Sequence, residues 1–160
     1  MQITKILLVF GTRPEAIKMA PLYLALKRHT KNFEVLLCVT GQHKEMLYQV
    51  LDLFEIKPDF DLEIMETAQT LNQIVASVIV KLKEILDDER PGLIFVHGDT
   101  ATSFAAALSA FFNKIPVGHI EAGLRTGNIL SPWPEEANRK LISTITKYHF
   151  SPTEIAKQNL

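Results

Sequence analysis

The sequence predicts an α/β fold in which helices cover both faces of a parallel, Rossmann-like sheet. Short runs that are apolar at almost every position are typical of strands buried on both faces. They lie at residues 6–10, 33–39, 93–96 and, more weakly, 116–120. Longer segments with helical periodicity separate these runs. Strand and helix therefore alternate along the chain, which favours right-handed crossovers and an open sheet.

Glycine ends three of the four predicted strands. The first run stops at Gly11, the second stops near Gly41 and the third stops at Gly98. Pro91 and Gly92 precede the third run. Such residues interrupt regular structure, so each run is taken as a separate strand followed by a turn.

The helical segments between the strands are predicted from periodicity and from their first residues. They lie at residues 16–27, 44–54, 71–86 and 101–112. The third is the clearest, because Thr70 and Gln73 form a capping box and apolar residues then recur on one face. Ser151 and Glu154 suggest a further capping box, with Pro152 as the first helical residue.

Composition and charge fit one ordinary globular domain spanning residues 1–160. The chain is 47% hydrophobic, with a net charge of −1 and a pI near 6.5, so neither nucleic acid nor an anionic membrane is an expected partner. The single cysteine, Cys38, cannot form an internal disulfide and indicates a reducing, cytoplasmic setting. The apolar start at residues 6–10 is far shorter than the ~20 residues of a membrane span.

Polar side chains cluster where the predicted strands end. The clusters are residues 11–15, 97–100 and 119–127, and a fourth at 131–139 begins another helix. In open parallel sheets, ligands bind beyond the carboxyl ends of the strands. We therefore expect the functional site at this edge.

The first cluster suggests an anion site. Gly11 permits close approach of a ligand, and the helix start that follows attracts negative charge. Arg13 and Lys18 add positive charge suited to a phosphate. The turn matches neither the dinucleotide fingerprint nor the P-loop. Alternatively, Thr12 and Glu15 form only a capping box and Arg13 is solvated.

Carboxylates after two neighbouring strands suggest acid–base chemistry. Asp99 and Glu121 end strands predicted to lie about 4.8 Å apart, and carboxylates that close can divide into one acid and one base. Glu135 can join them from the start of its helix. Alternatively, Asp99 caps the helix after it, and Glu135 and Glu136 merely favour a helix amino terminus.

His97 and His119 share strand faces with these carboxylates, which makes a divalent-metal site a rival interpretation. There is no HExxH motif and no cysteine cluster. Hydrogen-bonded structural histidines are the simpler interpretation, so no metal is predicted.

Taken together, the strand-end segments resemble the non-hydrolysing UDP-N-acetylglucosamine 2-epimerases. The matching segments are FGTRPEAIKMAPL at 10–22, VHGDT at 96–100, GHIEAGLRTG at 118–127, SPWPEEANR at 131–139 and HFSPT at 149–153. Each motif alone is weak, but their order along the whole chain is specific.

The resemblance implies one half of a glycosyltransferase-B-like, two-domain enzyme. Such enzymes interconvert UDP-N-acetylglucosamine and UDP-N-acetylmannosamine without a cofactor. They eliminate UDP to give 2-acetamidoglucal and then add it back. The second domain, which supplies most UDP contacts, is expected to be absent from this chain. The isolated chain is then expected to be inactive without a complementary domain or chain, and homodimers are a further expectation.

The resemblance also implies residue roles. Asp99, Glu121 and Glu135 match the proton-handling positions, and Arg13 and Lys18 match positions near the diphosphate. Gly11, His97 and His119 become supporting residues of the substrate site. Gln42 and His43 match a second UDP-sugar site, although Glu45 and Ala68 replace a glutamine and an arginine there.

Three alternatives stay open at this point. One is a hydrolysing 2-epimerase that releases free N-acetylmannosamine. Another is a non-catalytic subunit or remnant that pairs with a carboxyl-terminal half. The third is a metal-dependent hydrolase built on the two histidines and their neighbouring carboxylates.

Overall fold

The computed structural model describes residues 3–41 and 44–160, and within them the chain forms six strands and six helices. In chain order these are β1 Thr4–Phe10, α1 Arg13–Lys27, β2 Phe33–Val39, α2 Lys44–Leu53, β3 Phe60–Asp61, α3 Leu71–Glu89, β4 Leu93–His97, α4 Ala101–Phe112, β5 Val117–Ile120, α5 Glu135–Ile145, β6 Tyr148–Phe150 and α6 Glu154–Gln158.

All six strands belong to one parallel sheet with the order β3-β2-β1-β4-β5-β6. The strand order reverses beside β1, which pairs with β2 on one side and with β4 on the other. This is the switch point at which open α/β sheets bind ligands. The predicted fold class is confirmed.

Alternate residues of the central strand supply two separate cores. Leu7 and Val9 of β1 pack with α3 and α4, and Ile142 of α5 joins this side. Ile6, Leu8 and Phe10 lie in the second core, which α1 and α2 cover. Because successive side chains of a strand point to opposite faces, a fully apolar β1 binds both helical layers to the sheet.

The four predicted strands and four predicted helices are all present, and α1 begins three residues earlier than expected, at Arg13. Strands β3 and β6 were not predicted, because two or three residues are too few to show a pattern. Just before β3, Asp59 extends the hydrogen bonding along the outer side of β2. Its N–H donates to Leu37 O at 2.9 Å, and its carboxylate accepts from Leu37 N at 2.7 Å.

The predicted capping box at Ser151 is wrong. Thr153 caps α6, with Oγ1 accepting from the N–H of Ala156 at 3.1 Å. Thr153 is still extended (φ −144°, ψ 162°), so Glu154 is the first helical residue rather than the third. Pro152 lies before the helix.

None of the helices in the described ranges combines the length and the hydropathy that a membrane crossing requires. Gln42 and His43, expected at a second UDP-sugar site, lie outside the described residues.

Candidate functional site

A cavity of about 370 Å³ opens at the carboxyl ends of β1, β4 and β5. Its walls are formed by the turn into α1, the turn into α4 and the end of β5. The lining residues are Thr12, Pro14, Glu15, Lys18, His97, Gly98, Asp99, Thr100 and Glu121. Four residues predicted for the site, Lys18, His97, Asp99 and Glu121, therefore meet in one place.

Glu121 is held by Lys18 and lies close to His97. Lys18 of α1 donates a hydrogen bond to its Oε2 and forms an ion pair with it. His97 Nε2 lies 3.4 Å from the same oxygen. Glu121 also has a left-handed backbone, with φ of 64°. Residues other than glycine rarely adopt this conformation, and such strain is concentrated at functional sites.

His97 is buried beneath this pair. Burial lowers the pKa of His97, and the negative charge of Glu121 opposes that shift only in part. Neither ring nitrogen has a hydrogen-bond partner among the described residues. Burying an imidazole without hydrogen-bond partners normally costs free energy. Both ring nitrogens are therefore available to bind a group that enters the cavity.

Asp99 is bound by a different cation, Arg139 of α5. Arg139 Nε and Nη2 lie 2.8 Å and 2.6 Å from Asp99 Oδ2, and Nη1 lies 3.3 Å from the fully buried Glu136. Burial lowers the pKa of Arg139, but its contacts with Asp99 and Glu136 outweigh burial and raise it. Arg139 therefore stays charged and fixes one oxygen of Asp99.

Glu15 joins the two turns that form the cavity. Its Oε2 accepts from Gly11 N, Thr12 N and Thr12 Oγ1 at 2.9, 2.8 and 2.9 Å. Its Oε1 accepts from the Thr100 hydroxyl at 2.7 Å and lies 2.9 Å from Ser103 Oγ, whose single proton is shared between this oxygen and the carbonyl oxygen of His97. The capping box predicted from Thr12 and Glu15 is present, but it accounts for only one of these five contacts, the one from Thr12 N.

Thr100, and not Asp99, caps α4: its Oγ1 accepts from Ser103 N at 3.0 Å. The alternative role of Asp99 as a helix cap is therefore wrong. The carboxylate of Asp99 turns to Arg139 instead.

His119 serves the structure of the adjacent turn. It does not line the cavity, and its Nε2 lies 2.6 Å from the carbonyl oxygen of Gly98. A carbonyl only accepts, so the ring proton is on Nε2. Burial lowers the pKa of His119 to about 4, which keeps the ring neutral at pH 7.

The rival metal site does not assemble. Across residues 3–41 and 44–160, no group of three or more His, Cys, Asp or Glu side chains is placed to hold a metal ion. His119 directs its Nε2 to a backbone carbonyl, so this nitrogen does not face the carboxylates of the cavity.

Three other predicted residues lie outside the cavity wall. Gly11 is buried, and a Cβ there would lie 1.9 Å from Thr40 Oγ1, so packing between β1 and β2 already requires glycine. Arg13 is exposed at the start of α1. Glu135 begins α5, and its Oε2 is buried with no partner among the described residues.

Comparison with known proteins agrees with the sequence motifs. The family model for UDP-N-acetylglucosamine 2-epimerase matches residues 24–160. The UDP-N-acetylglucosamine 2-epimerases of Neisseria meningitidis and Escherichia coli K12 are each 58% identical over 156 residues. That match covers 98% of this chain and 42% and 41% of those proteins, respectively.

Solved structures give the same result. The N. meningitidis enzyme bound to UDP-GlcNAc superposes with a TM-score of 0.94 at 58% identity, covering 98% of this chain and 42% of that one. The Methanocaldococcus jannaschii enzyme in complex with UDP-GlcNAc and UDP superposes with a TM-score of 0.88 at 34% identity, covering 98% of this chain and 42% of that one. A Streptomyces glycosyltransferase shares the fold alone. It superposes with a TM-score of 0.55 at 14% identity, covering 89% of this chain and 43% of that one.

The chain thus spans about two fifths of the length of the curated relatives it matches. Its match to the family model nevertheless extends over most of its residues, and its fold superposes closely on solved members. This chain belongs to the UDP-N-acetylglucosamine 2-epimerase family.

Proposed function

We propose that this chain forms the amino-terminal, Rossmann-like domain of a non-hydrolysing epimerase that interconverts UDP-N-acetylglucosamine and UDP-N-acetylmannosamine. One observation carries the proposal. Asp99 and Glu121 follow neighbouring strands, line the same cavity and are each held by a different cation. Relatives with UDP-GlcNAc bound support the choice of substrate.

The reaction needs proton transfer at both faces of C2. In the first step a carboxylate removes the C2 proton as the C1–O bond to UDP breaks, and the electron pair forms the C1=C2 bond of 2-acetamidoglucal. In the second step an acid returns a proton to the opposite face of C2, and a UDP oxygen adds to C1. Because the C2 proton is weakly acidic, a positioned base is required.

The charge pattern of the cavity suits this sequence. Asp99 and Glu121 provide two carboxylates from separate walls, and Glu135 is proposed as a third member at the start of α5. Lys18 lines the cavity beside Glu121, where positive charge stabilises UDP as it leaves. Arg13, exposed one turn earlier on α1, is proposed to reach the diphosphate from outside the cavity.

The rest of the substrate site is proposed to come from a second domain. None of the described residues lining the cavity is a phenylalanine, tyrosine or tryptophan on which a uracil ring could stack. We therefore expect that the chain alone does not turn over substrate, and that a carboxyl-terminal half completes the cleft. Pairing of two copies is a further expectation.

Proton NMR with UDP-N-acetylglucosamine in heavy water tests the proposal. The chain is assayed alone and with the carboxyl-terminal half of a relative. We expect deuterium at C2 and an N-acetylmannosamine signal only when the second half is present. Exchange by the chain alone would show that the second domain is not required.

Isosteric variants test the two carboxylates. Asp99→Asn and Glu121→Gln should each lower exchange by about 10²–10⁴-fold, the usual contribution of an acid or base. Asp88→Asn, an exposed carboxylate of α3, is the matched control. Exchange by both site variants at the wild-type rate would refute the proposal. Release of free N-acetylmannosamine would indicate the hydrolysing reaction. No exchange and no product under any of these conditions would indicate a non-catalytic subunit.

A further inference from the structure

Glu15 is the most enclosed carboxylate in the cavity wall. It is only 2% exposed, whereas the side chains of Asp99 and Glu121 are 24% and 25% exposed. An ionised carboxylate only accepts hydrogen bonds, and the N–H groups of Gly11 and Thr12 and the hydroxyls of Thr12 and Thr100 donate to Glu15. Its oxygens are therefore committed to protein groups rather than open to a substrate.

Capping of α1 does not explain all of these contacts. In a capping box the glutamate side chain accepts only from the N–H of the cap residue, which here is Thr12 N on Oε2. The contacts at Oε1 come from Thr100 and Ser103, which are 85 and 88 positions away in sequence. Ser103 Oγ also lies 2.5 Å from the carbonyl oxygen of His97. Glu15 thus connects the turn after β1 with the turn after β4.

Each connected turn carries a group of the proposed reaction. Lys18 lies three positions after Glu15, on the same side of α1, and binds Glu121. Thr100 directly follows Asp99 in the chain. A shift of one turn relative to the other would therefore change the spacing between Asp99 and the Lys18–Glu121 pair.

We propose that Glu15 is a positioning residue that holds these two turns at the spacing needed for proton transfer. The inference rests on the proposed epimerase function. Glu15 does not itself exchange a proton with the substrate. It acts through Thr100 and Ser103 on one side and through the start of α1 on the other.

Glu15→Gln tests the role with little change in shape. An amide has only one acceptor end, so glutamine loses either the hydrogen bond that Thr100 donates at Oε1 or the hydrogen bonds donated at Oε2. In the presence of the carboxyl-terminal half, we expect the maximal rate of C2 exchange to fall by about 10–100-fold, the scale of a misplaced catalytic group, with KM changed less than about threefold. Glu154→Gln, also a carboxylate in a first helical turn but exposed, is the control and should keep the wild-type rate.

Substitutions at Thr100 separate bridging from capping. Thr100→Val removes the hydroxyl that binds Glu15 and should lower exchange like Glu15→Gln, whereas Thr100→Ser should restore it. Thr100→Val also removes the cap of α4, so Thr70→Val, which removes the cap of α3, controls for that loss. Exchange by Glu15→Gln within twofold of wild type, or equal losses in the serine and valine variants, would overturn the inference.

Backbone amide NMR of the chain itself distinguishes this inference from the proposed function. In Glu15→Gln we expect shifts at residues 97–100 and 119–121 as well as at 11–15. Shifts confined to 11–15 would reduce Glu15 to a helix cap and overturn the inference. Wild-type protein without exchange, but with the broader shifts in the variant, would refute the epimerase and keep the positioning role.

Discussion

His119 shows how a side chain beside the cavity can control the turn that carries Asp99. It is 1% exposed, and its Nε2–H donates to the carbonyl oxygen of Gly98, the residue before Asp99. Burial lowers the pKa of His119 to about 4, although the bond to Gly98 opposes the shift. The folded protein therefore holds this ring neutral, whereas an unfolded chain protonates it near pH 6.5.

This difference predicts that stability falls in mild acid. Because the folded pKa lies below the unfolded one, the contribution of His119 is complete above about pH 6.5 and is lost as pH falls toward 4. The expected slope is about 1.4 kcal/mol per pH unit, or about 3 kcal/mol over the whole window. Urea unfolding between about pH 7.5 and 4.5 measures it.

His119→Gln isolates this histidine from the others. Its amide can donate to Gly98 but does not titrate, so the free energy of unfolding should depend less steeply on pH than in wild type. His29→Gln, at an exposed position, should leave the slope unchanged. An unaltered slope in His119→Gln would assign the acid sensitivity to other groups, such as His97, whose pKa burial also lowers.

At the scale of elements, Gly123 is the point where α6 contacts the turn after β5. Its φ is +89°, and a Cβ would lie 1.9 Å from the carbonyl oxygen of Ala156. Asn159 Nδ2 donates to Gly123 O at 2.9 Å on the same contact. Both conformation and proximity therefore require glycine here.

A pair of glycine substitutions separates these two requirements. Gly127 has a similar φ of +80° but no atom within 4 Å of the Cβ position. Gly127→Ala should cost only the backbone strain, about 1–2 kcal/mol, whereas Gly123→Ala should cost at least twice as much and expose the amides of α6 to hydrogen exchange. Equal losses of stability in the two variants would show that α6 can move away from Gly123 without a cost in free energy. Urea unfolding and amide exchange provide the measurements.

The elements predicted from the sequence are those with a clear residue pattern, and the elements without such a pattern were missed. The apolar run at residues 6–10 and the capping box at Thr70 were sufficient for β1 and α3. Strand β6 is exposed at all three positions and has no pattern that would predict it. The α6 start was misplaced because serine is by residue type the better cap, whereas Thr153 is the cap in the folded chain.

The site was predicted in part for the same reason. Neighbouring strand ends were enough to place Asp99 and Glu121 at the same cavity. The partners of these groups were not visible, because Arg139 reaches Asp99 from 40 positions away and Glu15 reaches Thr100 across 85. Only the folded chain shows that Glu15 contacts Thr100 and Ser103 as well as capping α1.

For the whole molecule, the alternation of β1 predicts one cooperative unit. Leu82 and Leu47 are both fully buried, one in each core, and each should lose about 2–5 kcal/mol when changed to alanine. Because β1 supplies side chains to both cores, either variant should shift the far-UV and near-UV transitions together.

Leu53→Ala is the control, since Leu53 is 79% exposed and should change stability by less than about 0.5 kcal/mol. Separate transitions in the two probes for Leu82→Ala or Leu47→Ala would show that the two helical layers unfold independently. Circular dichroism during urea unfolding decides between these results.

The edge of the sheet at β3 has a consequence for aggregation of the protein in crowded solution. An unpaired strand edge recruits strands from other molecules and so starts aggregation. Here β3 covers Cys38 and Val39, and Asp59 occupies both the N–H and the carbonyl of Leu37. A negative charge bound at that N–H blocks the donor that an incoming strand would need, so intermolecular β-pairing at Leu37 requires Asp59 to leave first.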